Sequence, residues 1–231
     1  MGAAVRAALE RDSTIALRAQ PAIDIEMRNG TVVLRGEVTD IAAKRRIAMR
    51  VASMRGVDSV LDRLRVVVTR PRGDGAIAET LHARLASETV FGRYRIQLRE
   101  EADTEAQTEG REILIEVANG VVTLTGEVQS LSHRRFADVL AWWTPGVADV
   151  DNRLLVRPRE DDSDDEIADA LRLVFEKDPS LDASGIHAET HDGTVRLEGL
   201  VHSEEQKRHA ELDAWCILGV HDVENRIEVR A

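Results

Sequence analysis

The chain has a single cysteine, Cys216, among its 231 residues, so it can form no intrachain disulfide and offers no cysteine-based metal site. Aromatic residues make up only 3% of it, which leaves Val, Ile, Leu and Ala to build its cores. No run of about 18 apolar residues occurs, so the sequence contains no candidate membrane-spanning helix. Residues 1–20 lack the charged start, apolar stretch and cleavage site of a secretory leader. The chain therefore reads as cytoplasmic as written, or as periplasmic where an upstream leader has been removed. No phosphate-binding loop, dinucleotide fingerprint or Ser-His-Asp spacing is present. Of the seven histidines, His187 and His191 stand four apart in a strand-to-turn pattern, not on a helix where that spacing aligns two ligands. His202, His209 and His221 have no partner cysteine. These absences predict a protein that is not an enzyme and uses no cofactor and no metal.

What is present is one pattern written three times. Asn29-Gly30-Thr31-Val32-Val33-Leu34-Arg35-Gly36-Glu37-Val38 returns as Asn119-Gly120-Val121-Val122-Thr123-Leu124-Thr125-Gly126-Glu127-Val128. It returns again as Asp192-Gly193-Thr194-Val195-Arg196-Leu197-Glu198-Gly199-Leu200-Val201. A third glycine follows the strand glycine at one fixed spacing in every copy: Gly36 to Gly56, Gly126 to Gly146, Gly199 to Gly219. A period of this kind is the signature of a tandem array.

Each copy reads as α-β-β-α-β. Val5 and Leu9, like Ile77 with Leu81 and Ile167 with Leu171, mark one face of a first helix. Alternating apolar residues predict a strand, and Asn-Gly or Asp-Gly is the strongest short hairpin signal. The glycines at 36, 126 and 199 lie inside the second strand, where a glycine marks a bulge or a close backbone approach, here expected at a crossing helix. A second helix is predicted over about Ile41–Arg55, Leu131–Thr144 and Glu204–Leu218, ended by the glycines at 56, 146 and 219. A Val-rich third strand closes the unit. The expected fold is α+β: three tandem small domains, each a three-stranded mixed sheet with two helices packed on one face. Boundaries fall at 1–70, 71–158 and 159–231.

The second copy is longer by roughly 17 residues, because Leu81 to Gly120 spans 39 positions against 21 from Leu9 to Gly30 and 22 from Leu171 to Gly193. The excess falls in an acidic insertion near 87–110, which reads either as a protruding hairpin, since Arg95-Ile96-Gln97-Leu98 alternates, or as a disordered acidic loop.

The combination Asn/Asp-Gly-x-Val-x-Leu-x-Gly-x-Val, second helix, then Gly-Val-x-x-Val-x-Asn/Asp-x-Leu/Ile resembles the BON domain, in three copies that cover nearly the whole chain. The first copy departs by having Asp62 where the others have Asn152 and Asn225. The resemblance implies phospholipid association and a role in envelope or osmotic stress.

Two sets of residues recur beyond the architectural glycines. Lys44-Arg45, Arg134-Arg135 and Lys207-Arg208 stand at the start of the second helix in every copy, where cations oppose the helix dipole and so are not explained by capping. Trp142 and Trp215 share one position near the end of that helix, with Trp143 beside the first of them. These nine residues are the candidate contacts for anionic phospholipid, for a second copy of the chain or for another protein. Nucleic acid is not expected, because charge is uneven: residues 1–70 carry 13 basic against 8 acidic residues (net +5), residues 71–158 carry 10 against 14 (net −4), and residues 159–231 carry 8 against 20 (net −12). That gradient suits the alternative reading, a cytoplasmic protein-interaction or self-assembly scaffold.

Overall fold

The computed structural model describes residues 2–11, 15, 23–99 and 111–230, which fall into two compact units, Met1–Val67 and Val68–Ala231. The first unit contains one copy of the repeat and the second contains two.

In the first unit the order is α1 (Gly2–Arg11), β1 (Asp24–Arg28), β2 (Thr31–Val38), α2 (Ile41–Ala52) and β3 (Ser59–Val66). β1 and β2 pair antiparallel across Asn29-Gly30, whose φ angles of 48° and 79° are the two positive values a type I′ turn demands. β2 and β3 pair parallel, which requires a crossover, and α2 supplies it. Asp40 starts α2 by accepting the Ala43 N–H at 2.8 Å. Val32, Leu34 and Val38 of β2 share one buried cluster with Val5 and Leu9 of α1, Ala43, Ile47 and Val51 of α2, and Leu64 of β3. Both helices thus cover the same sheet face. Charged residues line the other, where Glu26 pairs with Arg28 and with Arg35 at 3.1 Å.

The second unit begins with α3 (Asp74–Ser87), a short turn of 3-10 helix (Thr89–Phe91) and β4 (Arg95–Leu98). It continues through β5 (Glu112–Ala118), β6 (Val121–Val128), α4 (Leu131–Trp142), β7 (Asp149–Asn152) and β8 (Leu155–Val156). The last copy follows as α5 (Asp164–Lys177), β9 (Ile186–His191), β10 (Thr194–Val201), α6 (Glu204–Cys216) and β11 (Asp222–Val229). One sheet has the order β4-β5-β6-β7, with β8 also on β6, and the other has the order β11-β10-β9. β7 and β8 both run parallel to β6, so together they take the place that β3 and β11 fill unbroken. α4 packs against both α5 and α6, so the second and third copies share a seam.

The structure revises three details of the expected unit. β4 runs parallel to β5, with Ile96 opposite Ile113, and so cannot be one arm of a hairpin. The sheet of the second copy gains a strand instead, and the acidic residues 100–110 lie outside the described residues. The second helices stop earlier than predicted, at Ala52, Trp142 and Cys216, and the glycines at 56, 146 and 219 sit with positive φ in the turns that follow. Finally, the strand glycines of the second and third copies approach a strand and not a helix. A Cβ on Gly126 would overlap the carbonyl oxygen of Glu112, and one on Gly199 would overlap that of Gly185, so the close approach is to the start of the neighbouring strand.

Candidate functional site

A side chain of the third strand ties down the head of the second helix in every copy, and in the first it draws a cation inward. Asn152 Oδ1 accepts the Leu154 N–H at 3.1 Å while its Nδ2 donates to the Arg134 carbonyl at 2.9 Å. Asn225 repeats this with Ile227 N–H at 3.2 Å and the Lys207 carbonyl at 2.9 Å. The asparagine of the motif therefore ties the third strand to the second helix. Asp62 can do only half of that: its Oδ1 accepts the Leu64 N–H at 2.9 Å, but it has no amide to donate. Lys44 makes up the difference, its Nζ lying 3.1 Å from Asp62 Oδ2 and donating to the Leu64 carbonyl at 2.6 Å. Lys44 is buried as a result.

This exchange predicts a reciprocal pair of variants. Asp62→Asn alone restores the residue the other copies use, yet it takes the Asp62 carboxylate away from the buried Lys44 ammonium and is expected to cost about 2 kcal/mol. Adding Lys44→Met should recover most of that loss. Urea denaturation of the two single variants and the double variant measures the coupling; additive effects would show that the two side chains do not act as a pair.

Arg135 of α4 and Trp143, which caps that helix, face the third copy. Arg135 is 2% exposed, and its Nε donates to the Leu218 carbonyl at 2.7 Å while Nη2 bonds Asp162 in the connection ahead of α5. Trp143 Nε1 donates to Asp213 Oδ1 of α6 at 2.8 Å. Leu131 N–H donates to Glu160 Oε2 at 2.8 Å, and Lys177 Nζ lies 3.0 Å from Glu88 Oε2, completing a polar rim around the seam. Asp213 itself is buried, and its carboxyl is pushed up to about 8, first by burial and then by the neighbouring carboxylate of Asp178. The Trp143 hydrogen bond only partly opposes that rise.

The candidate contact residues thus divide. Lys44, Arg135 and Trp215 are buried. Trp143 spends its donor on the seam, while Trp142, Arg45, Arg134 and Lys207 are half-buried and Arg208 is exposed. Charge alone did not distinguish these cases, since each cation follows the same strand glycine. Two acids that carry much of the local order escaped the sequence. Asp74, first residue of α3, accepts from the Asn119 and Gly120 N–H groups at 2.8 Å each. Asp164 of α5 does the same for Asp192 and Gly193, at 2.7 and 2.8 Å, and those two donors hold its carboxyl below the usual range. The first helix therefore clamps the hairpin turn, and the signal available was an acid three positions before Ile77 and Ile167.

Little in this geometry suits catalysis. Ser130 Oγ lies 2.6 Å from His133 Nδ1, but Ser130 caps α4 by accepting the His133 N–H at 3.2 Å. The ring is walled by Phe91 and Tyr94, and burial pushes its pKa down. Among the described residues no group of three or more His, Cys, Asp or Glu side chains is placed to hold a metal ion. No helix among them is long and apolar enough to cross a membrane.

Comparison with known proteins adds the following. The BON domain model matches residues 2–68, 93–158 and 163–231. The chain is 29% identical to Osmotically-inducible protein Y of Escherichia coli (strain K12) over 125 residues, 52% of this chain and 62% of that protein. It therefore spans less than two thirds of that relative's length. Among solved structures, the C-terminal domain of CdsD, a structural protein of the type III secretion system of Chlamydia trachomatis, is 16% identical over 98% of this chain and 95% of that chain, with a TM-score of 0.26.

Proposed function

This chain belongs to the BON domain family, and from that membership we propose that it is a non-catalytic binding protein of osmotic stress which associates with anionic phospholipid surfaces. The observation that carries the reading is the exposure left at the head of the second helix. Of three equivalent arginines, Arg135 is consumed by the seam, whereas Arg208 is exposed and Arg45 half-buried, each beside an elongated charged neighbour. A basic residue near an anionic bilayer contributes about 1 kcal/mol, and several contacts on one chain add through avidity. The name of the osmotically inducible relative supports the physiological setting.

Co-sedimentation with vesicles decides the matter. The chain should pellet with phosphatidylserine-containing vesicles at low salt, less at moderate salt, and not with neutral vesicles. Arg45→Gln with Arg208→Gln should weaken that binding by about thirtyfold, the loss of about two favourable charges. Absence of pelleting with either vesicle would sink the lipid reading and leave a protein-interaction scaffold.

A further inference from the structure

The second copy shows what an empty place in the third copy is shaped to hold. β4 lies along the edge of β5 and beneath α3, where His82 Nε2 sits 3.1 Å from the Ile96 carbonyl. The same place in the third copy, between α5 and the edge strand β9, is an open groove of about 450 Å³. Its α5 wall is Ala168, Arg172 and Phe175, the counterparts of Ala78, His82 and Leu85 in α3. Its β9 wall is Ile186 and Ala188, the counterparts of Ile113 and Ile115, because Ile186 pairs with Gly199 as Ile113 pairs with Gly126.

We infer that this groove binds an extended basic strand of a partner protein, running parallel to β9 in the manner of β4. Edge strands present unpaired N–H and C=O groups that an added strand can satisfy, while pockets for alternate side chains set the specificity. In the β4 register an aliphatic residue falls opposite Ile186 and a second opposite Ala188, as Ile96 and Leu98 fall opposite Ile113 and Ile115. Charge complementarity fixes the flanking residues. Arg99, which follows β4, pairs with Glu116 at 3.4 Å, and Glu189 of β9 is the counterpart of Glu116. Glu176 adds a second carboxylate on the α5 rim where the second copy has Ala86. The His187–Glu189 contact at 3.2 Å is exposed and is displaced at little cost. The occupant is therefore a strand of the form basic-aliphatic-polar-aliphatic-basic. This inference does not depend on the membrane reading, and vesicles play no part in its test.

The test uses a fluorescein-labelled peptide with the sequence of residues 93–99 and the whole chain, read by fluorescence anisotropy. Saturable binding is expected, weakened at least about tenfold by aspartate in place of Ile96 in the peptide, since that swap puts a charge where an aliphatic side chain was buried. Ala168→Trp in the chain fills the groove and should abolish binding. Glu189→Lys should weaken the native peptide and strengthen one carrying glutamate in place of Arg99, a reversal that misfolding cannot mimic. No binding at millimolar peptide, or binding indifferent to Ala168→Trp and Glu189→Lys, would overturn the inference. Self-association of the chain that Ala168→Trp removes would overturn it too, by giving the groove to a second copy.

Discussion

Gly126→Ala and Gly199→Ala are expected to destabilise the chain severely, each by on the order of 4 kcal/mol, where an ordinary surface substitution costs a tenth of that. Two effects combine. The φ angles of 128° and 132° lie in a region that side-chain-bearing residues rarely adopt, and an added Cβ would overlap the carbonyl oxygen of Glu112 or of Gly185. Those oxygens are backbone atoms at the start of β5 and just ahead of β9, so relief requires moving a strand rather than rotating a side chain. Gly75→Ala is the control. It lies in α3 with nothing within 4 Å of the added methyl group, and it should be neutral or slightly stabilising, by about 0.5–1 kcal/mol. Urea denaturation followed by far-UV circular dichroism reads all three. Wild-type stability for Gly126→Ala would mean that β5 moves freely, and the register given for β5 and β6 would then be wrong.

The same glycines explain why so much of the fold was legible. A residue that must have positive φ is nearly forced to be glycine or Asn/Asp, so turn and strand glycines return at fixed spacing in each copy while surface residues drift. Alternation likewise exposed the strands, because every second residue of β2, β6 and β10 faces the helices. Alternation carries no direction, however, and Arg95–Leu98 could be read as a strand but not as a parallel one. Nor does a repeated charge announce its destination. Lys44, Arg134 and Lys207 recur as a set, yet Lys44 lies against the Asp62 carboxylate and Arg134 against the Asn152 carbonyl, each on a strand 18 residues later in the chain. The clamps made by Asp74 and Asp164 were masked by a sufficient local explanation, since acids are favourable at any helix start. The seam was hidden for a different reason. Asp213 lies on a helix with mostly polar neighbours, and nothing within that copy implies that another copy will cover it.

Covering Asp213 has a measurable consequence. Its carboxyl is raised to about 8 from an ordinary value of 3.8, so the folded chain holds a proton that the unfolded chain releases. Stability from this group is therefore fully present below pH 3.8 and is lost as pH rises through about 8. On the acid side Glu26, Asp182 and Glu224 are held low by hydrogen bonds, and two further groups lie on or beside the second and third copies' turns and seam. His133, with a lowered pKa, favours folding as pH rises towards 6.5, and Asp164, held low by the turn amides, favours it above the carboxylate range. Neither adds a slope above pH 6.5, where the raised carboxyl of Asp213 does. Between pH 6.5 and 8 the wild-type chain should lose about 2 kcal/mol, from 1.36 kcal/mol per pH unit for one proton. Asp213→Asn should remove that slope. Its side-chain oxygen can still accept from Trp143, and its amide can donate to Asp178, which the aspartate does only when protonated. At pH 7 the variant should be more stable than wild type by about 2 kcal/mol, with about 4 kcal/mol as the ceiling set by the interval between 3.8 and pH 7. Parallel urea titrations at pH 6.5, 7 and 8 measure both effects. A wild-type slope that survives in Asp213→Asn would place the titrating group elsewhere, whereas its loss would make the seam between the second and third copies a pH-dependent contact, strongest in acid and weakened as the medium turns alkaline.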